Sequence, residues 1–183
     1  MRHFWMITSA ALLAFSAQAM AGNSSDSAKG GKAGQAHARL LDASGKTVGT
    51  ARVWDMGDGI HVEANLTGLK AAGTHGIHLH MVGQCTAPDF TSAGGHWNPM
   101  GMMHGSENPQ GAHKGDLPNI TVDAKGAAKL SAHISGVTLR EGPNALLDAD
   151  GAAIVVHAAA DDYRTDPSGN SGARIACGVF MPK

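Results

Sequence analysis

Apolar and polar residues alternate with a period of two along much of this chain. In GIHVEANL, the apolar Ile60, Val62, Ala64 and Leu66 are interleaved with polar or charged neighbours, as in a strand with one face in a core. Similar short segments recur at 36–42, 47–56, 76–81, 128–134, 152–158 and 174–181. The turn signals ASGK and DMGDG flank the second of these seven and read as hairpin turns. No run has the period, length and caps of a long amphipathic helix. Short strands without helices predict an all-β sandwich or barrel.

The first residues break the pattern. A short basic start, an apolar run and the small-residue endings Ala17-Gln18-Ala19 and Ala19-Met20-Ala21 predict a secretory signal peptide over residues 1–21, cut after Ala19 or Ala21. The apolar run is too short for a transmembrane anchor and no second span follows, so no membrane anchor is expected. The Ser-, Gly- and Lys-rich residues up to about 35 read as a flexible mature N-terminus, which leaves 36–183 as one domain. A formal net charge of −1 gives no pull toward nucleic acid or an anionic membrane. Aromatic residues make up 4% of the chain and there are 25 glycines, which fits a turn-rich β fold with an aliphatic core. The two cysteines, Cys85 and Cys177, are expected to pair in an exported chain.

A second break runs from residue 76 to 116. It holds His78, His80, His96, His104, His113 and Asp116, five of the eleven histidines among them. Such a density of imidazole and carboxylate is costly to bury unless something binds it. His78 and His80 lie two apart in an apolar run. On a strand they share one face and can share one ion. The other ligand candidates are spread through Gly, Pro, Asn and Ser, the composition of a long loop folded around metal. His with Asp suits a closed tetrahedral zinc site. A neighbouring all-imidazole site with an open position suits copper.

Downstream, His157 sits in the apolar AIVVHAAADD and is read as a further metal ligand. Asp161 is placed to orient metal-bound imidazoles. Arg174, at the head of the last strand, is either a solvated edge charge or an anion-binding group facing an open metal position. His37, His61, His75 and His133 are read as surface positions.

These segments, GIHLH, SAGGHWNPMGMMHG, AHKGDLPN, VVHAAADD and GNSGARIACGV, resemble in order the signature segments of the copper/zinc superoxide dismutases. The resemblance spans about residues 36–180. It implies a flattened eight-stranded Greek-key β-barrel with a long metal-binding loop. It implies that His78, His80, His96 and His157 bind copper and that His96, His104, His113 and Asp116 bind zinc, with His96 bridging both ions as an imidazolate. Asp161 would hydrogen-bond His104 and His78, Arg174 would dock the superoxide anion beside copper, and Cys85 would be joined to Cys177. The implied activity converts two superoxide anions and two protons to dioxygen and hydrogen peroxide, protecting against superoxide outside the cytoplasm. The extra length between Cys85 and His96, with the export signal, resembles the bacterial, periplasmic or secreted branch.

Some features depart from the family. The segment from Asp161 to Arg174 is short and lacks the acidic and lysine guidance cluster of animal enzymes; Arg164 and Lys114 are the substitutes on offer. Met100, Met102 and Met103 crowd the loop and are expected to pack or fill it rather than relay Cu(I). The alternative function is a secreted copper/zinc-binding or metal-delivery protein on the same fold. A binuclear zinc hydrolase is disfavoured because HLHMVGQ offers no carboxylate after the histidine pair. Monomer and homodimer are both compatible with the sequence.

Overall fold

The computed structural model describes Met1 and residues 34–182. The expected signal peptide beyond Met1, and the expected flexible segment up to residue 33, lie outside the described residues. Every element belongs to the unit Gly31–Lys183. The elements are β1 (Gln35–Asp42), β2 (Thr47–Asp55), β3 (Gly59–Leu66), β4 (Gly73–His75), β5 (Ile77–His80), β6 (Ile120–Val122), β7 (Ala128–Ser135), β8 (Ala153–His157), β9 (Arg174–Val179) and β10 (Met181–Pro182). The one helical turn among the described residues is a 3-10 turn at Thr91–Ala93.

All strand pairs are antiparallel, in the order β5-β8-β9-β1-β2-β3-β7, with β10 added to the edge of β1. The jump from β3 to β7 and from β5 to β8 is the Greek-key signature of non-sequential neighbours. A second sheet pairs β4 with β6. Because β4 runs into β5, and β6 lies beside β7, the small sheet draws the two ends of the large one together. The result is the curled antiparallel all-β architecture expected from the alternation.

All seven expected strands are present, with ends shifted by one or two residues. Three strands were not anticipated: β4, β6 and β10 are two or three residues long, too short to show a period. The β1–β2 hairpin turns on Asp42, whose Oδ1 accepts hydrogen bonds from Ser44 N, Ser44 Oγ and Lys46 N. The β2–β3 hairpin closes with Met56 N donating to Gly59 O.

Two apolar clusters result. The main one fills the curl, with Leu40, Val53, Ile60, Val62, Ile77, Leu79, Leu139, Ile154 and Val156 fully buried. The alternation sends the opposite faces of β5 and β8 outward, yet both strands are buried throughout. A second cluster explains this: Ala153, Val155 and Cys177 on the outer face pack with Phe90 and Ala93 of the long β5–β6 loop. The loop therefore lies as a lid over the outer wall of β5, β8 and β9.

Cys85 and Cys177 are joined, as expected, and fasten that lid to β9 across 92 residues of sequence. In the chain-entropy account, closing a loop of this length removes about 4–5 kcal/mol from the unfolded ensemble. The double substitution C85S/C177S is expected to lower the unfolding free energy by about 2–5 kcal/mol, read as a lower urea midpoint of the metal-free protein. An unchanged midpoint would show the cross-link to be idle.

Candidate metal centre

The β5–β6 loop is fixed along the open edge of β5. Trp97 N donates to Leu79 O, Leu79 N donates to Gly115 O, and Gly115 N donates to Trp97 O. Backbone bridges set His80 beside His96 and His78 beside Asp116. Gly115 is required here, since a Cβ at that position would collide with the Leu79 carbonyl oxygen. The unpaired edge of a strand is thus satisfied by the loop that carries the ligand candidates.

His78 and His80 project from the outer face of β5, on the same side as expected from their spacing. His157 ends the neighbouring β8, opposite Arg174 across a register shift. His96 completes a buried group of four. Each ring has one nitrogen committed. His80 Nδ1 is 2.9 Å from Gly94 O, His157 Nδ1 is 3.2 Å from Gly172 O, His78 Nε2 is 2.7 Å from Asp161 Oδ2, and His96 Nδ1 is 2.9 Å from Asp116 Oδ1. Those bonds fix the tautomers, so the opposite nitrogens carry lone pairs. These four nitrogens, His78 Nδ1, His80 Nε2, His96 Nε2 and His157 Nε2, are buried and have no hydrogen-bond partner. The four ligand atoms of the group lie within 4.8 Å of one another. Each buried acceptor left alone costs about 1–3 kcal/mol, and four converging lone pairs are satisfied together only by a cation.

The second group is His96, His104, His113 and Asp116. Three imidazoles turn Nδ1 toward a single oxygen, Asp116 Oδ1, at 2.9, 3.0 and 3.2 Å. The other oxygen accepts Gly105 N and His113 N, each at 2.9 Å. Donors about 3.3 Å apart are what a tetrahedral ion at 2.0–2.1 Å would need, so the group closes on zinc dimensions with little movement. His96 belongs to both groups. Its ring centre lies 4.0 Å from that of His78 on one side and 5.1 Å from that of His104 on the other.

Asp161 ties the groups together from behind. Its two oxygens reach His78 Nε2 at 2.7 Å and His104 Nε2 at 3.0 Å. Asp161 is itself held by Asn119, which donates from Nδ2 to Asp161 O and accepts from Asp161 N.

Burial pushes His80 well below the usual imidazole range, with the neighbouring His96 and Arg174 charges adding to it. Burial likewise lowers His96 to about 4 against the opposing hydrogen bond to Asp116, and His157 to about 3. All three are therefore neutral near pH 7, the form that binds metal. For His104, burial is outweighed by Asp116 and Asp161, which raise it to about 9. Burial would raise both carboxyls, but their imidazole donors hold Asp116 and Asp161 far below the carboxylate range.

Arg174 is not a solvated edge charge. Its two terminal nitrogens donate to Phe90 O at 2.7 Å and Gly94 O at 2.6 Å. Gly94 O also serves His80, so the guanidinium stands one carbonyl away from the four-imidazole group.

The sequence model of copper/zinc superoxide dismutase matches residues 47–180. The chain belongs to the copper/zinc superoxide dismutase family. It is 42% identical over 147 residues to the Aquifex aeolicus protein named superoxide dismutase (Cu-Zn) 2, covering 80% of this chain and 86% of that one. It is 45% identical over 139 residues to superoxide dismutase (Cu-Zn) of Caulobacter vibrioides, covering 74% and 79%. Among solved structures, a superoxide dismutase-like protein from Bacillus subtilis superposes with a TM-score of 0.74 at 39% identity, covering 79% of this chain and 97% of that one. The disulfide and the bacterial relatives are in keeping with an exported member of the family.

Two expectations about charged and histidine side chains around the site need correction. His75 is not a surface residue. It is buried, and its ring nitrogens lie 2.9 Å from the carbonyl oxygens of His157 and Ala71. It thus braces the backbone of a superoxide dismutase ligand candidate from inside the fold. The signal was present, since His75 precedes Gly76 and the ligand pair, but a three-residue strand shows no period. Arg164 is not a free cation for drawing in anions: it is paired with Glu107 at 2.6 Å. Lys114 donates to Ser135 O. Tyr163 was missed as well; its hydroxyl accepts Asn119 N and holds the β8–β9 loop to the zinc-side loop.

These shifts set the pH dependence expected of the metal-free protein. His80, His96 and His157 are depressed, so the unfolded chain binds more protons below about pH 6.5 and stability falls as pH drops toward 4. His104 is raised, so its contribution is complete below about pH 6.5 and is lost as pH rises through about 9. Urea midpoints of the metal-free protein are expected to peak near pH 6.5 and decline on both sides; a midpoint that climbs steadily toward pH 9 would contradict this assignment.

Proposed function

We propose that the four-imidazole group holds copper, the Asp116 group holds zinc, and the protein converts superoxide to dioxygen and hydrogen peroxide. The observation that carries this reading is the convergence of four unpartnered imidazole lone pairs that share His96 with a closed three-imidazole, one-carboxylate group. Copper at the first group supplies one-electron exchange with two successive superoxide ions, while zinc at the second supplies charge and shape without redox.

The chain's own residues supply the rest. Arg174 carries its charge to within reach of His80 and His157, each of which it makes harder to protonate. A small anion is drawn to that position and held by the guanidinium donors. His80 and His157 stay oriented through Gly94 O and Gly172 O. His96 faces the two groups with different nitrogens, so Nε2 can take up and deliver one of the two protons while Nδ1 stays on the Asp116 side. Asp161 holds His78 and His104 at a fixed separation and makes the two groups move as one.

The reading extends to the ends of the chain. Residues 1–21 act as an export signal and 36–183 as the catalytic domain. The disulfide suits the oxidising periplasm or exterior, where superoxide is met. A secreted copper/zinc store or delivery protein is the competing function, and it has no use for an arginine anchored beside the copper group.

Dismutation by the purified protein, with copper and zinc counted in the same sample, decides between them. Activity is expected to scale with copper content and to vanish on copper chelation. Full occupancy of both metals without dismutation would transfer the protein to the storage or delivery reading. Arg174→Ala is expected to lower kcat/KM by about 10- to 100-fold, the scale of lost electrostatic steering and docking, with metal content unchanged. Asp161→Asn is expected to weaken zinc retention by about 10- to 100-fold, as for other groups that orient metal-bound histidines, measured by chelator competition.

A further inference from the structure

Met100, Met102 and Met103 do not pack into either apolar cluster. They are 51%, 40% and 40% exposed, which overturns the expectation that they fill the loop. Their exposure is selective. Every exposed large apolar side chain among the described residues is a methionine, while no leucine, isoleucine, valine or phenylalanine is among them. Positions that merely tolerated apolar bulk would show those residues too. What distinguishes methionine is its soft, polarizable thioether on a flexible stem, a ligand type that selects Cu(I).

The backbone beneath these thioethers is held in place. Asn98 Nδ2 donates to Met102 O at 2.8 Å and Met102 N donates to Asn98 Oδ1 at 3.0 Å, closing a turn in which Gly101 adopts a φ of +63°. Met103 N donates to Gln110 O. Three flexible side chains thus spring from one short, pinned loop. That loop runs between His96, which belongs to both metal groups, and His104, which belongs to the Asp116 group. A fourth exposed methionine, Met81, directly follows His80, and its Sδ lies 3.7 Å from where a Cβ on Gly94 would sit. Met81 thus packs against Gly94, the residue whose carbonyl serves both His80 and Arg174.

We propose that Met100, Met102 and Met103 form a surface site that captures Cu(I), and that Met81 receives the ion on its way to the imidazoles. The transfer is a ligand exchange: copper–sulfur bonds break as copper–nitrogen bonds form. No electron moves, and the receiving nitrogens already present unpartnered lone pairs. The thioethers are neutral, so the complex keeps the single positive charge of the ion, which solvent screens at the exposed loop. The proposal rests on the copper reading of the four-imidazole group.

The test uses zinc-loaded, copper-free protein under argon. Cu(I) is supplied from bicinchoninate with ascorbate, which keeps copper reduced and leaves the disulfide closed. The wild type is expected to show sulfur scatterers in the copper X-ray absorption spectrum early in loading, replaced by nitrogen scatterers later. The M100L/M102L/M103L variant keeps side-chain volume and is expected to lose the early sulfur signal. It should load copper about 10-fold more slowly at limiting supply, the scale on which groups around a metal site act, while reaching the same final occupancy. M81L is expected to keep the early sulfur signal and to slow only its decay. Nitrogen scatterers alone at every time, or identical loading in wild type and triple variant, would overturn the proposal. Persistent sulfur scattering with no later nitrogen phase would instead refute the copper reading of the imidazoles, since capture would then have no onward destination.

Discussion

Four buried lone pairs that converge with no partner in the protein are the constraint on which this structure turns. Nothing in the protein relieves them, because each ring has already spent its other nitrogen on a carbonyl or carboxylate. The arrangement is held from outside the site. Strands β5 and β8 present three of the imidazoles from a rigid wall, and the loop bonded to the edge of β5 delivers the fourth. The cost of this frustration is carried by the aliphatic core on the other side of the same two strands, and is repaid when a cation is bound.

Keeping a long loop against the outer wall of a sheet requires several fasteners of different kinds. The Cys85–Cys177 bond is covalent, the Phe90 and Val155 cluster is apolar, and the Asp161, Asn119 and Tyr163 contacts are hydrogen bonds that reach from one loop to the next. Each is modest by itself. Together they position ligand atoms from five separate points of the chain, a precision that loops alone rarely reach.

Much of this was legible in the sequence because it obeys short periods. The alternation in β3 marks its inner face, and the two-residue spacing of His78 and His80 sets both on one side of β5. The ligand candidates of the loop were visible through composition, since imidazole and carboxylate amid Gly, Pro and Asn have no other economical use. What escaped notice depends on contacts between distant segments. β4 and β6 are strands only because they meet each other. His75 is buried only because the carbonyls of Ala71 and His157 close around it, and a lone histidine beside a glycine reads as surface. Arg164 reads as a free cation because its partner, Glu107, lies 57 residues away in the chain. The methionine run gave the right residues but the wrong side of the loop, because apolar character alone does not distinguish a buried methionine from one kept at the surface.

His96 has a consequence beyond positioning. One ring faces both groups through opposite nitrogens, so ions held as proposed would be thermodynamically linked. A cation at Nδ1 settles the ring's orientation and tautomer before the second ion arrives, lowering the entropy that the second must give up. Such coupling is reciprocal: whatever the zinc side adds to copper affinity, the copper side returns to zinc in equal measure. A shared imidazole would thus make the pair of ions a cooperative unit, in which the departure of either loosens the hold on the other.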